Sequence, residues 1–183
     1  MRPSSRLRRG LLSGVVAATL ALAACAGGEG GLDALHADIV SDYPGVSHID
    51  GEALAALDRP VILDIRDPAE FAVSRIPGAV RVGLDEDAAD VLARLDVQGR
   101  PVVAYCSVGR RSSIFAQAMQ DALLAQGATS VANLQGGVFA WHAREMPLEN
   151  AAGRTDVVHP YDEIWKRYVP RQDAVSYTPL SGG

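Results

Sequence analysis

Hydrophobic and polar positions change rhythm several times along this chain. After a basic opening, residues 11–24 are apolar except for Ser13, Gly14 and Thr19. That stretch is short of the ~20 residues a membrane-spanning helix needs and matches the apolar core of an export signal. The glycine-rich sequence at 26–31 reads as a flexible tether. Leu32, Leu35, Ile39 and Val40 then recur at helical spacing and predict a short lead-in helix. From residue 46 onward, short apolar runs alternate with amphipathic segments. The runs at 46–49, 61–65, 79–84, 102–105 and 130–134 predict strands. Between them lie helix starts. Asp50 can cap a helix running through Leu57, and Asp67-Pro68 supplies a cap followed by proline at the first helical position. Asp85-Glu86-Asp87 opens a further helix with Val91, Leu92 and Leu95 on one face. Residues 112–125 predict the longest helix of the domain, with Phe115, Met119 and Leu123 inward, and Gly136-Gly137 leads into another over 138–144.

Repeated strand and helix predict an α/β fold, a mostly parallel five-stranded sheet with helices on both faces. The expected organisation is a signal peptide at 1–24, a tether and lead-in helix at 25–45, an α/β domain at 46–148 and a C-terminal extension at 149–183. In that extension, aromatics at roughly helical spacing after Pro160 predict a short helix packed on the domain. Residues 176–183 read as disordered.

Composition narrows the function. A chain of 183 residues holds one domain plus trimmings. Two cysteines exclude a disulfide-stapled miniprotein and a four-cysteine zinc site. A net charge of -5 with few aromatics argues against a nucleic-acid partner. Arg2, Arg6, Arg8 and Arg9 all lie in the leading segment, which has no acid. The remainder is therefore more acidic still, and an anionic ligand would depend on local donors. His36, His48, His142 and His159 are scattered without metal-ligand spacing, so no metal and no cofactor is expected.

Ligands of parallel sheets sit at the carboxyl ends of the strands. The residue at that end of the most apolar central run is Cys106. It opens the segment Cys106-Ser107-Val108-Gly109-Arg110-Arg111-Ser112, a strand end, a glycine turn and a helix start in succession. Such a turn aims backbone N–H groups and the positive end of a helix at the sulfur, and so favours a thiolate. Two arginines beside it have no use around an inert core cysteine. The reading requires a sulfur that faces the loop amides and is open to a reactant. Asp64 lies inside an apolar run, so it must be paired if buried, with the loop or with Arg66. Trp141, at helical spacing from Val138, reads as core, and Asp85-Glu86-Asp87 as helix-start charge rather than a cation site.

At this point the sequence resembles the single-domain rhodaneses, which are sulfurtransferases. The Cys106–Ser112 segment is similar to that family's Cys-x-x-Gly-x-Arg-Ser loop. Leu63-Asp64-Ile65-Arg66-Asp67-Pro68-Ala69-Glu70-Phe71 resembles its Asp-Val-Arg-x-x-x-Glu-Phe segment. Ile76-Pro77-Gly78-Ala79 and Leu134-Gln135-Gly136-Gly137-Val138-Phe139-Ala140-Trp141 match two further family motifs. One position departs: Arg75 stands where the family usually has histidine. The resemblance implies that Cys106 carries a persulfide cradled by Ser107, Val108, Gly109, Arg110, Arg111 and Ser112, with Asp64 and Arg66 in support. Arg111 would orient the loop or meet the donor, and Arg110 would steer it. From Cys106 to Arg111 is six residues. That length fits the sulfurtransferases; related phosphatases carry one residue more.

The implied reaction takes sulfane sulfur from a small anionic donor such as thiosulfate and gives it to a thiol, sulfite, cyanide or protein acceptor. A non-catalytic rhodanese-like binding module and a phosphatase or oxyanion reductase are the alternatives. Leu22-Ala23-Ala24-Cys25 resembles the lipobox of bacterial lipoproteins. It implies lipidation of Cys25 and a lipid anchor to a bacterial membrane, on its periplasmic or extracellular face. Cys106 would then be the only free thiol, so the sulfur must leave to another molecule.

Overall fold

The computed structural model describes residues 29–180. The expected signal peptide, Cys25 and residues 26–28 of the expected tether lie outside the described residues, while Glu29, Gly30 and Gly31, expected as tether, already belong to the first helix. The order of elements is α1 (Glu29–Asp42), β1 (Ser47–Ile49), α2 (Gly51–Ala56), β2 (Val61–Asp64), α3 (Pro68–Val73), β3 (Val80–Arg81), α4 (Ala88–Arg94), β4 (Pro101–Tyr105), α5 (Arg110–Ala125), β5 (Ser130–Leu134), α6 (Gly137–Ala143), β6 (Leu148–Asn150) and β7 (Gly153–Thr155). A 3-10 turn follows at Trp165–Tyr168.

Strands β1 to β5 make one sheet in the order β1-β5-β4-β2-β3, with every pairing parallel. This is the predicted α/β architecture. Alternation along β4 splits the core in two, because successive side chains of a strand point to opposite faces. Val102 and Ala104 pack with Leu63, Phe115, Met119 and Leu123 under α5. Val103 and Tyr105 pack on the other face with Leu134, Phe139 and Trp141 of α6. Each large aliphatic or aromatic side chain buried this way contributes about 1.5–3 kcal/mol.

The helix starts follow their predicted chemistry. Asp50 accepts from the Ala53 N–H at 2.8 Å. Asp87 accepts from Ala89 at 2.8 Å, and Pro68 opens α3 after Asp67.

Four local expectations need correction. The strand expected over 79–84 is only Val80–Arg81, because the Glu86 carboxylate accepts the Gly83 N–H at 2.6 Å and turns the chain away from the sheet edge. Helix α5 starts at Arg110, two residues early, since Gly109 at φ +106° is itself its N-cap. The expected helix after Pro160 reduces to the four-residue 3-10 turn. Residues 176–180, read as disordered, are tied down: the Ser176 N–H donates to the Val158 carbonyl at 3.1 Å, and Asn150 Nδ2 donates to the Leu180 carbonyl at 3.1 Å.

The β6–β7 hairpin had no counterpart in the sequence reading, and residue 148 lies inside it. Val158 and Val169 are fully buried in the α6-side core, so the chain beyond the hairpin is packed into the same body. Among the described residues no helix is long and apolar enough to cross a membrane.

Candidate active site

Strand β4 ends at Tyr105, and the chain turns through Cys106, Ser107, Val108 and Gly109 into α5. Gly109 is required here. Its φ of +106° disfavours any side chain, and a Cβ would come within 3.1 Å of Asn133 Nδ2. The turn brings the Gly109 N–H to Cys106 Sγ, to which it donates at 3.2 Å. The sequence reading expects a ring of such amides, and the hydrogen-bond geometry supplies this one.

The loop is fixed from below by α6. Val138 and Phe139 donate their N–H groups to the carbonyls of Cys106 and Ser107 at 2.9 and 3.1 Å. The two chains approach so closely that a Cβ on Gly137 would lie 2.3 Å from the Cys106 carbonyl oxygen. Gly136-Gly137 is therefore part of the site's foundation, where the sequence suggested only a lead into a helix. From β5, Asn133 accepts a hydrogen bond from the Ser112 hydroxyl at 2.6 Å, and the Ser113 hydroxyl donates to the Gly109 carbonyl at 2.8 Å.

Glu70, absent from the predicted site residues, organises the cationic side. It accepts Arg111 Nη1 and Nη2 at 2.9 Å each, and the Ser107 hydroxyl at 2.7 Å. It also closes the capping box of α3 by accepting the Asp67 N–H at 3.1 Å. Burial works against ionisation of Glu70, but the Arg111 hydrogen bonds and the charges of Arg111 and Arg66 outweigh it and hold its pKa below the ordinary value. Burial likewise opposes the Arg111 cation, and its bonds to Glu70 with the charges of Cys106, Glu70 and Asp67 prevail. The signal for Glu70 was present in sequence: an acid three residues after an aspartate cap. Arg110 turns outward and pairs with Asp42 of α1 at 2.9 Å.

Asp64 and Arg66 form a buried pair, with Arg66 Nε and Nη2 on the two carboxylate oxygens at 2.9 and 2.6 Å. Arg66 also reaches the Ser74 carbonyl, and the Tyr105 hydroxyl donates to Asp64. Neither Asp64 nor Arg66 lines the cavity that holds Cys106. Their place is the structural pairing anticipated for Asp64. Arg75 lies over the Phe71 ring at 4.8 Å and pairs with Glu149 of β6 at 3.3 Å. The departure from the family histidine thus ties the domain to the hairpin. Trp141 is buried, with its indole N–H on the Pro147 carbonyl.

Cys106 itself is 1% exposed. An open sulfur was expected, and this one sits at the floor of a cavity of about 200 Å³. Ser107, Val108, Arg110, Arg111 and Ile114 line it from the domain. Tyr161 and Trp165 line it from the C-terminal segment, and sequence reading missed both, since nothing in their spacing reveals which face they cover.

A parallel sheet with a cysteine loop between its central strand and the following helix defines a class of α/β domains that carry chemistry on one strand-end sulfur. Comparison with known proteins makes the assignment specific. The sequence model of the Rhodanese-like domain family matches residues 50–144. A sulfurtransferase of Allochromatium vinosum is 35% identical over 109 residues, 56% of this chain and 94% of that protein. The thiosulfate sulfurtransferase GlpE of Pseudomonas putida is 32% identical over 96 residues, 52% of this chain and 81% of its own. Larger relatives are matched only in part: the chain spans 21% of the probable adenylyltransferase/sulfurtransferase MoeZ of Mycobacterium tuberculosis, at 33% identity over 47% of this chain. The crystal structure of a thiosulfate sulfurtransferase from Pseudomonas aeruginosa superposes with a TM-score of 0.50 at 22% identity, covering 77% of this chain and 26% of that one. The chain belongs to the rhodanese-like domain family.

Proposed function

We propose that this protein is a sulfurtransferase that carries sulfane sulfur as a persulfide on Cys106. The observation that carries the reading is the Cys106 loop: a strand-end thiol at the floor of a cavity, hydrogen-bonded by the Gly109 N–H, with the Arg111–Glu70–Ser107 cluster holding its rim. The names of the two sulfurtransferase relatives, each nearly spanned by this chain, support it.

With thiosulfate as donor, the Cys106 thiolate attacks the outer sulfur. A sulfur–sulfur bond forms to Cys106, the bond to the sulfonate sulfur breaks, and sulfite leaves with the electron pair. A thiophilic acceptor such as cyanide then takes the outer sulfur as thiocyanate and returns the thiolate, a covalent two-step cycle. The Gly109 N–H stabilises negative charge on the sulfur as it develops. Arg111, held by Glu70, keeps Ser107 and the loop in place; Ser107, Val108, Arg110 and Arg111 line the cavity, Gly109 supplies the N–H to the sulfur, and Ser112 braces the loop from behind through Asn133. The six-residue span from Cys106 to Arg111 favours sulfur over phosphate chemistry. The same proposal places the domain outside the cytosol on a lipid anchor at Cys25, on the strength of the basic, apolar and small-residue sequence before it.

The test is mass spectrometry of the protein after incubation with thiosulfate. Wild type gains one sulfur on Cys106 and releases it to cyanide, while Cys106→Ser gains none. A wild-type protein that takes up no sulfur yet cleaves an aryl phosphate would overturn the proposal.

A further inference from the structure

We propose that Tyr161 and Trp165 are specificity determinants, making this site select a sulfane-sulfur donor with an apolar, ring-sized organic group over a small inorganic anion. The inference rests on the sulfurtransferase reading and names its substrate class. Both residues lie outside the stretch matched by the family model, which ends at 144.

The first observation is conformational. Tyr161 has φ +71°, a left-handed conformation that a bulky side chain rarely adopts. Strain of this kind persists only where surrounding structure enforces it, and it clusters at ligand-binding positions. Here the enforcing contacts are visible. The Tyr161 N–H donates to His159 Nδ1 at 3.0 Å, and His159 is packed edge-on against Tyr177 at 5.3 Å. Asp162 accepts the Trp165 N–H at 2.8 Å and starts the 3-10 turn. Val158 and Val169, both fully buried, clamp the segment at either end. The result stacks the Tyr161 ring on Arg111, whose guanidinium carbon lies 4.9 Å from the ring centroid, with Tyr161 as a whole still 43% exposed. A strained, half-exposed ring at the mouth of a cavity is poorly explained by packing alone.

The second observation concerns charge. The cations lining the cavity are Arg110 and Arg111. Arg110 is paired with Asp42, and Arg111 with Glu70 on both nitrogens. A dianion such as thiosulfate finds both guanidinium groups already matched by carboxylates. Besides Cys106 and Ser107, the remaining walls are Val108, Ile114, Tyr161 and Trp165, which offer apolar and aromatic surface. A cavity of about 200 Å³ accommodates a group the size of a phenyl ring beside the reacting sulfurs.

For a thiosulfonate donor the transfer is balanced without another reactant. The Cys106 thiolate attacks the terminal sulfur, the sulfur–sulfur bond of the donor breaks, and the sulfinate leaves with the electron pair. Cys106 is oxidised to the persulfide as the sulfonyl sulfur is reduced to sulfinate.

The experiment compares kcat/KM for benzenethiosulfonate, methanethiosulfonate and thiosulfate, with cyanide as acceptor and thiocyanate as readout. The two thiosulfonates carry the same charge and differ in the ring. The quantity read is the phenyl-to-methyl ratio in wild type divided by that ratio in Tyr161→Ala and in Trp165→Ala, which cancels the donors' intrinsic reactivity. Loss of either ring should lower the ratio about three- to tenfold. Tyr161→Phe should keep it, because the face and not the hydroxyl is used. Tyr161→Gly removes the ring and suits the left-handed φ, so it keeps the test available if an alanine variant does not fold. A ratio that survives loss of Tyr161, or a wild type that turns over thiosulfate better than benzenethiosulfonate, overturns this inference and leaves the sulfurtransferase reading standing. If Cys106 takes sulfur from none of the three donors, the sulfurtransferase reading itself falls.

Discussion

Replacing Glu70 with alanine removes one carboxylate that four donors share: Arg111 through two nitrogens, the Ser107 hydroxyl and the Asp67 N–H. Glu70 is 2% exposed, so water does not replace it at once. Breaking a fully buried ion pair by deleting one partner costs about 3–5 kcal/mol. Arg111 retains 24% of its side-chain exposure and has Asp67 at 3.5 Å, which cushions the loss. The expected destabilisation of Glu70→Ala is therefore about 2–4 kcal/mol, a fall in Tm of roughly 5–15 °C for a domain of this size. Glu70→Gln keeps the shape and one good acceptor and should lose about half as much. Urea unfolding with unchanged m-value is the assay, run as a double-mutant cycle with Arg111→Met. Most of the Glu70 effect should vanish in the Arg111→Met background. A Glu70→Ala protein within ~0.5 kcal/mol of wild type, or strictly additive effects, would refute the claim that this pair holds the loop.

Gly137→Ala places a methyl carbon in the Cys106 carbonyl at a left-handed φ of +57°, so it should destabilise by about 2–4 kcal/mol and abolish persulfide loading. Wild-type loading in that variant would show that the α6 start does not set the loop. Asn133→Ala strips the Ser112 hydroxyl of its buried acceptor and should cost about 1–3 kcal/mol by urea unfolding; a neutral result would remove Asn133 from the site. On acidification, burial holds the pKa of His36, His48, His142 and His159 below the ordinary 6.5 in the folded protein. The unfolded chain then takes up protons first, so stability is full above pH 6.5 and declines as pH falls through the lower folded values. Thermal melts from pH 7.5 downward check this, and a flat Tm to pH 5 contradicts it. Glu70 titrates the same way lower down, its stabilisation complete above 4.5 and lost as pH falls through its depressed folded value, and Glu70→Gln should remove that part of the acid limb.

Much of the α/β frame was legible because its signals are local. The apolar run ending at Asp64 and the Asp67-Pro68 start carry their own instructions, and β5 falls at the predicted 130–134. Strand β3 was overread because hydrophobicity alone extends it, whereas a side-chain carboxylate from Glu86 ends it. The cysteine loop could be located from its residue types, but its supports come from distant segments. Glu70 lies 41 residues before Arg111, and Asn133 lies 21 after Ser112. Only the folded chain shows that these meet. The C-terminal segment was the least legible. Its order comes from isolated buried valines and single backbone bonds, which leave no periodic pattern to read.

That segment also changes what counts as the functional unit. The family model matches 50–144, and the sequence reading placed a C-terminal extension at 149–183 with a segment packed on the domain. The contacts show how closely it is joined. Arg75, immediately before the Ile-Pro-Gly-Ala turn, exchanges backbone hydrogen bonds with Glu149 and pairs with its side chain. His142 Nε2 meets the Asp156 carbonyl, and Asp156 is held by Arg171 at 2.6 Å. These links fix the path of the chain from the hairpin to Val158, where it enters the core and turns towards the cavity. The low exposure of Cys106 therefore has to be judged with Tyr161 and Trp165 in place. A domain cut at 148 would present a different cavity above the same cysteine loop, so donor preference measured on such a fragment would describe a site this protein does not have.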